Sequence, residues 1–390
     1  MPKVTRIIGI LSGTSVDSID CVLVEVSGFG PKTKIAVKEF YSKRYPNELK
    51  KLILKNSHIA SSNVEEICLL NFIVGKAFAQ AVKEFLTKRK INSSSISFIG
   101  SHGQTIYHIP QEKAVAGIKS KATLQIGDPS VIASLTGITT IGDFRTADMA
   151  VNGNGAPFAP YLDYILFGNT KKNIALLNIG GIGNVTILKK GCKKNEVTAF
   201  DTGAGNMMID ALMKKFYKQD FDKNGKIASV GKLNPVLFNK LKAKDKYYTA
   251  KPPKATGREY YGEDFINYIL KNSKGIPKQD IISTVTEFTA FTICYNIMNF
   301  LPKGSSSVNS IEELHISGGG AENKFLVQSI STYLPGTKIL KMDSKGITAK
   351  NKEAVLFAVL ANETYNGMTS NLPSVTGAKR EVIQGKICLA

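Results

Sequence analysis

Apolar residues along the chain follow two rhythms: short unbroken runs, and longer stretches with helical spacing. Ile7 to Leu11 and Cys21 to Val26 are runs of the first kind, and between them lies a compact segment of Gly, Ser, Thr and Asp. That pattern predicts a strand, a tight turn and a second strand. Lys34 to Tyr41 alternates well enough to add a third strand and make an antiparallel meander. From Asn63 to Arg89 the rhythm changes, and Ile67, Leu70, Val74, Phe78, Ala81, Val82 and Phe85 fall on one face of a long amphipathic helix. Ile96 to Gly100 reads as a short buried strand that delivers Ser101 to Thr105 at its C-terminal end, where α/β proteins place ligand groups. Leu124 to Gly137 is a strand, a Gly-Asp turn and a helix opened by Pro129.

The second half begins again in the same style. Asn173 to Gly191 predicts strand, Gly- and Asn-rich turn, and strand, with Gly180, Gly181 and Gly183 in the turn. Asp201 then stands at a strand end before a bend at Gly203 and Gly205, with a helix from about Met207. Near the C-terminal third, strand, glycine bend and helix recur, with Gly318, Gly319 and Gly320 at the helix N-terminus. Two meander halves, each followed by strand and helix units, predict an internally duplicated α/β protein.

Composition narrows the class. The 390 residues are 43% hydrophobic and 21% charged, as in an ordinary globular protein of two domains. No leader-like segment opens the chain, and the longest apolar candidate, Ile281 to Leu301, carries Glu287 and several Thr, so it reads as a buried core helix. A cytoplasmic protein with no membrane segment is expected. Five cysteines without CxxC pairs and four histidines without an HExxH arrangement argue against a disulfide framework or a zinc site. The net charge of +20 is spread over helices and loops without regular aromatic interleaving, which fits a solvated lysine-rich surface and no nucleic-acid partner.

Candidate chemistry gathers at the turns. Gly13 lets the backbone approach a bound group, and Ser12, Thr14 and Ser15 add hydroxyls beside successive amides, the makings of an anion nest. Asp17 and Asp20, just past the turn, are candidates to hold a magnesium ion that bridges to phosphate. His102 reads either as a substrate contact or as a hydrogen-bonded structural histidine. Asp143, Arg145 and Asp148 crowd together before the Gly- and Pro-rich stretch Asn152 to Pro160, a domain crossover or a substrate loop. Neither GxxxxGK[ST] nor GxGxxG fits any of these turns, and Asp220 to Gly231 opens like a calcium loop but ends in Gly rather than Glu.

Taken in order, SGTSVDSID, SHGQTIYH, LQIGD, DFR, GAPFAPYLD, NIGGIGN, FDTGAGN, TGREYY, SGGGAEN, KEAVLFA and LPSVTGA span essentially the whole chain. In that order they resemble the anhydro-N-acetylmuramic acid kinases, within the superfamily of acetate and sugar kinases, heat-shock chaperone ATPases and actin. The resemblance implies a duplicated actin-like, ribonuclease H-like two-domain fold with an interdomain nucleotide cleft. It implies domain I at 1–147 plus 375–390 and domain II at 148–374. It also implies ATP and Mg2+ as cofactors, an anhydro amino sugar as substrate, and a homodimer as the oligomer to test for.

Residue by residue, the resemblance puts Ser12, Gly13, Thr14, Ser15, Val16, Asp17, Ser18 and Ile19 around the ATP phosphates. Gly180, Gly181, Gly203, Gly318, Gly319, Gly320 and Glu353 join them on the nucleotide side. His102, Gln104, Thr105, Arg145, Asp148, Gly155 and Pro157 fall to the sugar, and Asp201 to general-base catalysis. Four positions depart from the family's pattern: Ser18 for Gly, Ala204 for Pro, and Asn152 and Asn154 for Gly and Gln. These departures touch the phosphate turn and the sugar loop, so the alternatives to the family's own substrate are another sugar or anhydro-sugar as acceptor on the same fold, or an ATP-binding switch without catalysis.

Overall fold

The computed structural model describes residues 4–300, 311–342, 346–348 and 350–390. Leu301, the end of the long apolar stretch, lies outside the described residues.

The chain divides into two compact units, Met1–Leu166 with Asp343–Ala390, and Phe167–Met342. In the first, β1 (Val4–Ser12), β2 (Ser18–Ser27) and β3 (Lys34–Arg44) form the antiparallel meander. β1 also pairs in parallel with β4 (Phe98–Ser101). Between β4 and the next strand of that sheet, β5 (Gln104–Val115) and β6 (Ile118–Ile126) form a separate two-stranded arm. β7 (Thr140–Gly142) continues the sheet in parallel, and the C-terminal strand Lys386–Cys388 closes it. Ile7 to Ser12 are buried throughout, so the central strand is a continuous apolar run rather than an alternating one.

The second unit repeats the plan. β8 (Ile174–Ile179), β9 (Ile182–Leu188) and β10 (Thr198–Ala204) are antiparallel, and β8 pairs in parallel with β11 (Glu313–Ser317), which pairs in parallel with β12 (Lys338–Lys341). The orders β3-β2-β1-β4-β7 and β10-β9-β8-β11-β12 are the same order twice. This is the duplicated, ribonuclease H-like α/β plan of actin-like proteins.

Four helices matter below: α1 (Val64–Lys88), α2 (Met207–Tyr217), α3 (Lys278–Asn299) and α4 (Lys352–Tyr365). Asn63 caps α1 by accepting from the amides of Glu65 and Glu66, and Leu70, Val74, Phe78, Val82 and Phe85 bury its apolar face against the first sheet. α3 is long and apolar enough to cross a membrane by composition, but most of it lies buried in the second unit's core.

The first unit takes in more chain than 1–147 plus 375–390, because α4 packs directly on β1 and β4. A Cβ on Gly9 would sit 1.9 Å from the Ala354 carbonyl oxygen, and one on Gly100 would sit 2.2 Å from that of Phe357. Only glycine admits the helix at that depth. The calcium-like stretch is no cation loop: both carboxylate oxygens of Asp222 accept amide hydrogens, from Ile227 and Ala228 at 2.9 Å each.

Candidate functional site

In the first unit the β1–β2 turn is closed by the Val16 amide donating to the Gly13 carbonyl at 3.1 Å. Val16 takes φ 53, a left-handed conformation uncommon for a β-branched residue. A Cβ on Gly13 would meet nothing within 4 Å, so the fold itself does not demand glycine there. Ser12 is buried while Thr14 and Ser15 stand exposed at the tip. Asp17, expected to join Asp20 on a metal, pairs with Lys50, which holds its carboxyl below the usual range. Asp20 instead accepts from the hydroxyls of Ser18 and Ser42. Among the described residues no three His, Cys, Asp or Glu side chains come together as a metal cluster.

At the end of β4, His102 is buried and Arg145 donates to its Nε2 from both Nε, at 3.2 Å, and Nη2, at 3.0 Å. With Nε2 accepting, the ring proton sits on Nδ1, which faces the Gly103 carbonyl at 3.2 Å. Burial, reinforced by the Arg145 charge, pushes the imidazole down to about 3, so it is neutral at working pH. Arg145 also donates through Nη1 to the Gly155 carbonyl at 2.9 Å and lies over the Phe158 ring. Its own value falls to about 10 through burial and it stays charged. Glu353, on α4, is pushed up by burial and then by Asp20, and lies close enough to Arg145 to feel its charge. Glu353 therefore neighbours both Asp20 on the β1–β2 hairpin and the Arg145 and His102 cluster. Gln104 donates to the Thr105 carbonyl while its buried Oε1 has no hydrogen-bond partner among the described residues, an acceptor open to a ligand donor. Thr105 accepts from Gln125, and Pro157 is exposed on its loop.

Asp148 is the clearest correction on the sugar side. It is 0% exposed, and its carboxylate accepts from the Gly155 amide at 2.8 Å, Asn371 Nδ2 at 2.9 Å and Thr376 Oγ1 at 2.8 Å. Those donors use it up as a clamp on the 152–157 loop. From the arm, Lys121 Nζ donates to the Asn152 carbonyl and to Asn154 Oδ1, both at 2.8 Å, so of the two departures in this loop Asn154 fastens it to β6 through its side chain, while Asn152 contributes only backbone.

In the second unit the β8–β9 turn is sewn to the start of α2. The amides of Asn206 and Gly205 donate to the carbonyls of Gly180 and Gly181, each at 2.8 Å. Gly318, at φ 82, passes so near that a Cβ would lie 2.6 Å from the Ile179 carbonyl oxygen. Gly180, Gly181 and the Gly318–Gly320 turn thus converge. Gly203 belongs elsewhere: it sits in a bulge of β10 against the Tyr261 hydroxyl, a packing site beside Asp201. Beside Gly181 opens a cavity of roughly 490 Å3, lined by Met207, Asp210, Lys215, Arg258, Glu263 and Ile266 among others. Asp210 there is pushed up to about 6 by burial, then by Asp220.

Asp201 is half-buried in the middle of β10, not at the strand end where the sequence placed it. Thr256 donates its amide to Oδ2 at 2.9 Å, Tyr247 donates its hydroxyl to the Asp201 carbonyl at 3.1 Å, and the Asp201 amide donates to the Lys254 carbonyl at 3.3 Å. Among the described residues Oδ1 accepts no hydrogen bond. Burial pushes the carboxyl up to about 6 against the opposing pull of the Thr256 amide and Lys254. Tyr247, Lys254, Thr256 and Asp210 were not singled out from sequence. The TGREYY motif and the aromatic run before it were the available signals, but which residues clasp Asp201 is a tertiary fact.

Three comparisons bear on these clusters. A sequence profile described as anhydro-N-acetylmuramic acid kinase matches residues 5–390. A protein of that name from Caldanaerobacter subterraneus subsp. tengcongensis is 44% identical over 387 residues, 98% of this chain and 96% of that one. Another, from Clostridioides difficile, is 44% identical over 381 residues and 97% of each chain. Among solved structures, component A of the (R)-2-hydroxyglutaryl-CoA dehydratase of Acidaminococcus fermentans is similar at a TM-score of 0.43 and 12% identity, over 91% of this chain and 96% of that one.

Proposed function

The chain belongs to the anhydro-N-acetylmuramic acid kinase family, and on that premise we propose that it uses ATP and water to convert 1,6-anhydro-N-acetylmuramic acid to N-acetylmuramic acid 6-phosphate in cell-wall recycling. The consumption of ATP puts the reaction in the cytoplasm. One observation carries the mechanism: a half-buried carboxylate, Asp201, with one oxygen pinned by a backbone amide and the other open.

With a value of about 6 this carboxylate is about nine-tenths ionised at pH 7, yet basic enough to accept a proton. Water attacks the anomeric carbon and gives its proton to Asp201 Oδ1. The C1–O6 bond breaks, and its electron pair stays on O6. O6 then attacks the γ-phosphorus in line, and ADP leaves with the bridging electron pair. The Arg145 cation, fixed by neutral His102 and the Gly155 carbonyl, suits the carboxylate of the sugar's lactyl group. Gln104 Oε1 is an acceptor for a sugar hydroxyl or the acetamido N–H.

The open space over Gly13 and the exposed hydroxyls of Thr14 and Ser15 suit phosphate oxygens. The cavity beside Gly181, with apolar Met207 and Ile266 and the carboxylate of Asp210, suits the nucleoside end of ATP. Magnesium takes only one or two protein carboxylates beside phosphate and water. Asp20 fits that role, being held among the described residues by serine hydroxyls and close enough to Glu353 to raise it. A bound magnesium ion would neutralise charge on the transferring phosphate.

The test is ATP consumption with and without the anhydro sugar, with mass analysis of the product and Asp201→Asn as control. A hydrated 6-phosphate that the variant does not make supports the proposal. ATP binding without turnover on this sugar would leave the family and fold standing and overturn the substrate.

A further inference from the structure

The segment from Tyr247 to Thr256 holds Asp201 at three points: its carbonyl, its amide and its carboxylate. The side chain that ties this segment to itself is Lys254. Its Nζ donates to the carbonyls of Tyr247 and Tyr248 at 3.2 Å each. The same ammonium lies over three aromatic rings, 4.8 Å from the centroid of Tyr247, 4.9 Å from Phe300 and 5.7 Å from Phe200. Phe200 is the neighbour of Asp201 on β10, so the cage is built partly from the strand that carries the base.

A lysine at a protein surface needs no such housing. Here the cation gives up much of its water, and two carbonyls and three ring faces replace it. The arrangement is costly unless the cation fixes something. What it fixes is the span from the Tyr247 hydroxyl to the Thr256 amide, both of which bond Asp201.

We propose that Lys254 is a positioning residue for the reaction: caged by Phe200, Tyr247 and Phe300, it locks the 247–256 segment so that the Asp201 carboxylate is presented to the attacking water in one orientation. The inference rests on the reading of Asp201 as general base. The groups facing the Lys254 ammonium are the carboxylates of Asp201 and Asp245, and those facing Asp201 are Lys254, Glu259 and the Tyr247 hydroxyl. Removing the cation takes away the positive charge opposing protonation of Asp201 and leaves Glu259, which favours it.

Lys254→Met is the test, in the full-length protein with ATP and the anhydro sugar. A misplaced catalytic group costs on the order of 100-fold, so kcat is expected to fall by about that factor, with KM for sugar and ATP changing by less than about threefold. The acid limb of the kcat–pH profile is expected to move to higher pH. Lys254→Arg, whose guanidinium stacks on aromatic faces, is expected to restore most of kcat and return the acid limb. In an Asp201→Asn background, Lys254→Met should add no further loss, because the residue acts through Asp201. A kcat within about threefold of wild type, an unmoved acid limb, or full additivity with Asp201→Asn would each overturn the proposal. Should Lys254→Met not fold, Tyr247→Phe removes one of the three holds alone. It is expected to lower kcat without raising KM, and an unchanged kcat would overturn the proposal equally. If Asp201→Asn itself keeps full activity, the general-base reading fails first.

Discussion

Asp201→Asn should cost the enzyme its activity and make the protein more stable. The wild-type carboxyl goes from 3.8 in the unfolded chain to about 6 in the folded one, mainly through burial. A raised value means that the folded state holds the proton more tightly. The favourable contribution is therefore complete below 3.8 and is lost as pH rises through about 6. At pH 8 the ionised group is a burden of about 3 kcal/mol relative to its protonated state, at about 1.4 kcal/mol for each pH unit of difference. Asparagine carries no charge and keeps an oxygen for the Thr256 amide, though a weaker acceptor by about 1 kcal/mol. The variant should gain about 2 kcal/mol at pH 8, a rise of roughly 4–8 °C in Tm. At pH 5 the folded group is mostly protonated but the unfolded one is still ionised, so about 1.6 kcal/mol of the burden remains and the gain should fall to about 0.6 kcal/mol. Urea and thermal unfolding of both proteins at pH 5 and pH 8 read this directly, with kcat measured alongside. A variant no more stable than wild type at pH 8, or a gap independent of pH, would refute the reasoning.

The β1–β2 turn and the two clamps give sharper structural contrasts. Gly13→Ala puts a methyl into open space, so the unfolding free energy should change by about 0.5 kcal/mol or less. KM for ATP should nevertheless rise about tenfold, which steady-state kinetics will show. Gly100→Ala drives a methyl against the Phe357 carbonyl beneath α4 and should destabilise by about 2–4 kcal/mol in denaturant unfolding. Asp148→Asn sets an amide N–H against donors at a fully buried position and should cost about 2–4 kcal/mol, measured by the same unfolding transition.

The meanders, the long amphipathic helix and the repetition of the plan were legible because hydrophobic rhythm carries them. Gly13 was legible as a turn residue, whereas Asp201, expected at a strand end, lies in the middle of β10 beside a bulge. The β5–β6 arm was read only in part, since its far end is exposed and mixes Lys, Ser and Val without clean alternation. Asp148 was misread because three charged residues in a row of six look alike in sequence. What separates them is a clamp from Asn371 and Thr376, more than two hundred residues away. The Lys50 ion pair on Asp17 was likewise invisible locally, since Lys50 reaches it from another element. Glu353 reaches both Asp20 and Arg145 because α4 returns to the first sheet, a topological fact that no local motif encodes.

The most direct test of the mechanism is where the oxygen comes from. Run in 18O-labelled water, the reaction should give a 6-phosphorylated sugar carrying one labelled oxygen at the anomeric carbon, with none in the phosphate ester. Label formation should fall with Asp201→Asn in step with ATP consumption. A phosphorylated product that retains the anhydro ring, or label entering the phosphate instead of the sugar, would contradict the account.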